Sequence, residues 1–137
     1  MRYWALDLLR CLNCKSFPLE IVVLESEEEE VDTTNLRFPL CKNYCGYLKK
    51  PIVSGASYPC EKCLRVNVKT AVLYCPKCNY WYPVRNGIVY MLPDKRRRAE
   101  SDLEFLAKYR DRLPPEVVER GKPFNLAGQG QAPQKER

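Results

Sequence analysis

The stretch LYCPKCNYWYPVRNGIVYMLPD, residues 73–94, decides the fold. It runs from a cysteine pair, Cys75-x-x-Cys78, into two β-rich segments, Tyr80 to Val84 and Ile88 to Leu92, with Arg85-Asn86-Gly87 between them. Asn-Gly in that setting predicts a tight hairpin, because both central residues of a type I′ turn need positive φ. Pro83 has no N–H for a ladder, which puts its strand at an edge or a bulge. Upstream, Arg65 to Tyr74 alternates, with Val66, Val68, Val72 and Tyr74 on one side and Asn67 and Lys69 on the other, predicting a half-buried strand. Ile88 to Leu92 is apolar on both faces, so one face can pack on its own domain and the other on something else.

The pair at Cys75 and Cys78 is one of four; the others are Cys11-x-x-Cys14, Cys41-x-x-x-Cys45 and Cys60-x-x-Cys63. Two thiolates with two or three residues between them lie on a tight turn whose amides can reach the sulfurs, and two such turns complete a tetrahedron around zinc. Eight thiolates therefore predict two structural zinc ions, each supplying roughly 10–16 kcal/mol of apparent binding energy to a small core. Four thiolates also suit a rubredoxin-like iron site. A disulfide framework wants a secreted chain, and a thioredoxin-like pair wants a βαβ pattern that is missing. Spacing leaves the pairing open. First with second and third with fourth is one solution; first with fourth and second with third is the other.

The chain has 137 residues, 45% of them hydrophobic and 29% charged, which suits one globular domain with an insert and a tail. Histidine is absent, which removes the commonest general base and the commonest metal ligand together. Closed four-thiolate sites are structural, so no catalytic residues are expected and the composition argues against a hydrolase. The formal charge is +6 and uneven: six acids lie in ESEEEEVD at 25–32, and four bases in Lys95-Arg96-Arg97-Arg98. The acidic stretch, residues 25–35, reads as a surface loop or boundary. The basic run is a possible contact for RNA phosphates.

At the N-terminus, Asp7 interrupts the apolar stretch, so MRYWALDLLRC does not read as a signal peptide, and no run approaches the ~20 residues that span a bilayer. No membrane association and a reducing, cytoplasmic setting are expected. Leu19 to Glu25 is rich in β-branched residues and predicts another strand. The last third is helical: Ser101 with Glu104 fits a capping box ahead of Leu103, Phe105, Leu106 and Tyr109. Pro114-Pro115 ends that helix, and Pro115 opens a short one closed by Gly121.

The opening LDLLRCLNCKSFPLEI and the stretch quoted first together resemble the Trm-one-twelve family of zinc-ribbon methyltransferase activator subunits. The string Tyr82 to Leu92 is the specific part, since a bare zinc ribbon does not call for it. Residue 12 is Leu where Pro is common in the family. The resemblance implies the nested pairing, with Cys11, Cys14, Cys75 and Cys78 as the ribbon's ligands. Cys41, Cys45, Cys60 and Cys63 depart from the family's pattern and read as a second zinc lobe replacing its variable middle. The expected architecture is α+β: a small zinc ribbon of antiparallel strands over 1–25 and 65–93, an inserted zinc-binding lobe at 26–64, a C-terminal helical extension at 94–124 and a disordered tail at 125–137.

What the resemblance implies about function is a non-catalytic subunit. It would bind and stabilise S-adenosylmethionine-dependent methyltransferases acting on tRNA, rRNA or translation factors, as a heterodimer, with RNA reached through the partner. Strand addition supplies main-chain hydrogen bonds for affinity and alternate side chains for specificity. The expected partner-binding residues are Leu6, Leu8, Leu9, Val84, Ile88, Val89, Tyr90, Met91 and Leu92. The alternative is a zinc-ribbon RNA-binding or ribosome-associated protein, supported by the charge and by Tyr80, Trp81 and Tyr82 as stacking candidates.

Overall fold

The computed structural model describes residues 1–127. One four-stranded antiparallel sheet organises the chain, in the order β1 (Glu20–Glu28), β4 (Val66–Tyr74), β5 (Trp81–Arg85), β6 (Ile88–Val89). Asn86 and Gly87 join β5 to β6 at φ +53° and +78°, the hairpin their sequence calls for. A second, two-stranded ribbon pairs β2 (Tyr44–Cys45) with β3 (Lys50–Pro51), and helix α1 (Cys60–Arg65) leads directly into β4. The C-terminal part holds α2 (Ala99–Lys108) and α3 (Pro115–Val118). The architecture is an α+β zinc ribbon.

Both faces of the sheet are covered. One face carries Ile21, Val68, Ala71, Leu73, Tyr82 and Val84, packed with Leu6, Leu19 and Tyr44. The other carries Leu24, Val72 and Trp81, packed with Phe105, Leu106, Leu113, Val117 and Val118 of the helical extension. β4 is therefore a central strand and not the half-buried one expected. Its alternation also slips: the β1–β4 register skips Leu24 and then Lys69. An extra residue turns every later side chain to the opposite face. Val68 thus faces the first layer and Val72 the second, although both have even numbers.

Three further boundaries differ from expectation. β1 runs on to Glu28, taking Ser26, Glu27 and Glu28 of the acidic stretch into pairing with Val68, Asn67 and Val66. The capping box at Ser101 is not formed: α2 starts three residues earlier, with Arg98 and not Ser101 as an N-cap, and Arg98 makes no side-chain cap bond. The strand after the hairpin ends at Val89, not Leu92. Asn125 and Leu126, expected in the tail, are held in place: Asn125 Nδ2 donates to Gly121 O (3.0 Å) and Leu126 N to Val118 O (2.7 Å). The rest of the expected tail, 128–137, lies outside the described residues.

The inserted stretch is bound tightly to the ribbon. The Asp7 carboxylate accepts the backbone N–H groups of Lys42 (3.0 Å), Asn43 (2.9 Å) and Tyr44 (2.8 Å). Although desolvation opposes it, those amide bonds hold the Asp7 carboxyl below its ordinary range. Gly46 completes the contact: a Cβ there would lie 2.6 Å from Leu6 Cδ1 and 2.8 Å from Tyr3 O. Only glycine allows that approach.

Arg97 anchors the helical extension. Its Nε donates to Asp102 Oδ2 (2.7 Å) and its Nη1 to Trp81 O (2.7 Å), while the guanidinium lies 4.8 Å from the centre of the Trp81 ring. The chain returns beyond α3 to pair beside β5, with Trp81 N donating to Lys122 O (3.1 Å) and Trp81 Nε1 to Phe124 O (2.8 Å).

Candidate metal centre and exposed edge

Two turns of the same shape bring four cysteines together. In the first, Lys15 N donates to Cys11 O (2.9 Å) and Cys11 N to Ser16 O (3.0 Å). In the second, Asn79 N donates to Cys75 O (2.9 Å) and Cys75 N to Tyr80 O (2.8 Å). Lys15 and Asn79 hold the same place in each, both at φ +65°. Such turns aim backbone amides at the first sulfur: Asn13 and Cys14 at Cys11, Lys77 and Cys78 at Cys75. The second turn sits between β4 and β5, and the first is held to it by the Tyr82 side chain. Tyr82 Oη lies 3.4 Å from Cys11 Sγ and accepts Leu12 N–H at 3.1 Å.

The sulfurs of Cys11, Cys14, Cys75 and Cys78 all lie within 4.8 Å of one another. Cys11 and Cys78 are 3.5 Å apart, as are Cys14 and Cys75. A tetrahedron with ~2.3 Å zinc–sulfur bonds has edges of about 3.8 Å, so the donor set fits a four-coordinate ion. Spacing left the nested pairing open, and the structure forms it for these four. They differ in readiness to bind. Hydrogen bonds from Ser16, whose Oγ is 3.1 Å from Cys14 Sγ, bring the exposed Cys14 thiol down to about 6. Burial pushes Cys75 up to about 12 despite its amide bonds. A metal entering here displaces protons.

Cys41, Cys45, Cys60 and Cys63 line one small recess together with Trp4, Gly46, Ile52 and Tyr58. Cys60 and Cys63 stand one turn apart on α1, and Cys45 opens a turn like the other two, with Lys49 N donating to Cys45 O (2.7 Å) and Lys49 at φ +60°. Burial, with the neighbouring thiols adding to it, pushes Cys41 up to about 11 and Cys63 up to about 12. Four sulfurs gathered in one recess suit an arriving cation, which would replace the protons that Cys41 and Cys63 hold. Among the described residues, only the first set has all its ligand atoms within 4.8 Å.

The residues expected to bind a partner separate into two groups. Leu6 and Val84 are 0% exposed and belong to the core: Leu6 packs under Gly46, and Val84, in β5 opposite Val89, faces the first core layer. They are not surface residues, a correction to the sequence reading. Leu8 is 69% exposed and lines an apolar groove of about 370 Å³ with Trp4, Leu36, Leu40 and Leu64, while Leu9 packs partly on the core. Along the outer edge of the sheet, Val89 and Met91 turn inward onto the core, whereas Ile88 and Leu92 are 57% and 38% exposed. Tyr90 lies against the Arg85 guanidinium (5.5 Å). Beyond Val89, Tyr90 N still donates to Pro83 O (2.9 Å), and among the described residues no strand pairs on the far side of β6, so that edge is open. Leu92 also shares a recess of about 150 Å³ with Leu12 and Asn13 of the first cysteine turn, which makes edge and turn one surface.

Of the basic run, Lys95, Arg96 and Arg98 are exposed, but Arg97 is buried, with Nε held by Asp102 and Nη1 by Trp81 O, so it is no part of an exposed basic surface, a second correction. The stacking candidates are engaged too: Trp81 against Phe105, Tyr82 on the cysteine turn, and Tyr80 Oη donating to Asp94 (2.8 Å). Sequence reasoning placed Tyr82 at the metal site but missed Ser16 beside Cys14 and Asp7 as the clamp on the insert. Asp7 carried a signal, a lone acid inside an apolar run, that only the fold explains.

These features define a ribbon protein with a four-cysteine centre and an open strand edge. The chain matches the family described as Trm112p-like protein over residues 5–87, more than half its length, and it belongs to that family. The family is in general one of methyltransferase activators. Comparison with curated proteins finds no match. Among the described residues, no helix is long and apolar enough to cross a membrane.

Proposed function

We propose that this chain is a non-catalytic subunit that binds and stabilises an S-adenosylmethionine-dependent methyltransferase acting on tRNA, rRNA or a translation factor. The observation that carries the reading is the open edge at Ile88–Leu92, in which inward Val89 and Met91 alternate with exposed Ile88 and Leu92. An added strand finds free main-chain groups there and two apolar side chains to cover. Leu8 and its groove offer a second apolar contact. The metal at Cys11, Cys14, Cys75 and Cys78 plays a structural part: it fixes the hairpin from which the edge projects. A second structural zinc at Cys41, Cys45, Cys60 and Cys63 fixes the insert. RNA is reached through the partner, in the cytoplasm.

The test is a tagged purification from the native host at moderate salt, with mass spectrometry of what co-elutes. Near-stoichiometric recovery of a methyltransferase that survives higher salt supports the reading. Recovery of ribosomal particles that wash off with salt, and no methyltransferase, overturns it in favour of direct RNA binding, because phosphate contacts weaken steeply with salt.

A further inference from the structure

A cavity of about 170 Å³ opens where the end of the hairpin meets the start of α2, lined by Arg85, Arg96, Arg97, Arg98, Tyr90 and Asp102 among others. Four arginines and one aspartate are among the residues that line it, and its volume is room for several water molecules. The ten-residue helix α2 begins at its wall, and the N–H groups of the first turn, at Ala99, Glu100 and Ser101, precede any intrahelical acceptor. Arg98 in the N-cap position makes no side-chain bond to them. Glu100 is exposed, and Asp102 already serves Arg97 and, at 3.5 Å, Arg85.

The decisive group is Arg97. Its side chain is 2% exposed, its Nε and Nη1 are bonded, and its plane is fixed over Trp81 and Tyr82. Its Nη2 is buried with no acceptor among the described residues. A buried charged donor without a partner is costly and rare in native structures, and a bound water or ion is one of the ways it is satisfied. Asp102 cannot supply it, because its two oxygens are directed to Arg97 Nε and to Arg85.

The geometry points to a binding site for a phosphate group in this cavity. A tetrahedral oxyanion has acceptors enough for the Arg97 Nη2, for the forks of Arg96 and Arg98 at the mouth, and for the N–H groups of α2. Its charge is balanced by the excess of guanidinium groups over the single carboxylate. Inorganic phosphate and the phosphodiester of an RNA backbone share this chemistry. The site stands apart from the strand-addition reading, since it uses none of Ile88, Val89 or Met91.

The test uses the full, zinc-loaded chain, with inorganic phosphate as one probe and a short RNA oligonucleotide as the other, at physiological salt. Titration is followed by the guanidinium ¹⁵N signals of Arg97. Phosphate is expected to shift the Arg97 Nη signals, and the Arg96→Ala/Arg98→Ala variant to weaken binding by roughly tenfold or more with the fold unchanged. The control Arg110→Gln/Arg112→Gln, which removes the same charge from an exposed turn, is expected to bind as the parent does. If the RNA competes with phosphate and weakens in step in the double variant, the source is a phosphodiester; if only phosphate does, it is the free anion. Absence of any Arg97 shift, equal weakening in the control, or binding of polyglutamate but not phosphate overturns the proposal.

Discussion

Replacing Asp102 with alanine strips the buried Arg97 of its carboxylate and tests how the helical extension is held. The two side chains are 5% and 2% exposed and meet at 2.7 Å, so water is not at hand to replace the lost partner. Arg85, 3.5 Å from the same carboxylate, loses its partner too. Breaking a buried pair from one side costs about 3–5 kcal/mol, because it leaves an uncompensated charge inside the protein. For a domain of this size that lowers the unfolding midpoint by roughly 10–20 °C. Removing both charges in Arg97→Met/Asp102→Leu leaves no buried charge unpaired, only the part-exposed Arg85 without its carboxylate, so the double variant is expected to be markedly less destabilised than the sum of the single changes. Urea unfolding of the zinc-loaded protein, run as a double-mutant cycle over Arg97→Met, Asp102→Leu and both, gives the coupling directly. A cost below about 1 kcal/mol for Asp102→Ala, or no coupling between the sites, would refute the reasoning, since surface pairs behave that way.

Three further outcomes are expected. Ile88→Lys puts a charge on the open edge at a 57% exposed position, so folding should be unchanged within about 0.5 kcal/mol while capture of the methyltransferase is lost; loss of folding instead would place Ile88 in the core. Asp7→Asn weakens three amide bonds to the insert and should cost about 1–2 kcal/mol at neutral pH. Because the folded Asp7 is depressed, its contribution is complete above the unfolded value near 3.9 and is lost as pH falls through the folded one. The gap between variant and parent should therefore close only in strong acid, which a pH series of melting curves checks. Metal affinity should fall on acidification by about tenfold per pH unit for each proton displaced, with Cys75, pushed up to about 12, among the proton donors. Competition with a chromophoric chelator between pH 6 and 8 measures this, and a flat profile would contradict four-thiolate ligation.

The sequence was clearest where chemistry is local. Asn86-Gly87 fixed the hairpin because few dipeptides tolerate two positive φ values. The cysteine spacing marked the turns because tight geometry and soft ligands leave few alternatives. The pairing of the turns was not local, and cysteines 61 and 67 residues apart in the chain decide it. The face of each β4 residue was misread because the skipped Leu24 and Lys69 reverse the alternation without any glycine to announce it. The capping box at Ser101 was a sound local motif overruled from outside. Arg97, tied to Trp81 O and Asp102, sets where α2 begins. Leu6 looked like exposed apolar surface at a chain end, but the insert covers it through Gly46 and Tyr44. The acidic run looked like loop, yet Glu27 and Glu29 find Lys69 and Arg2 along the β1 edge.

The most direct test of the central claim is reconstitution. A methyltransferase recovered from the host is expressed alone, with this chain, and with the Ile88→Lys variant, and soluble yield and transfer of a labelled methyl group are measured. The account expects soluble, active enzyme only with the parent chain, in a one-to-one complex, and little of either with the variant. An enzyme equally soluble and active on its own, or equally served by the variant, would contradict it.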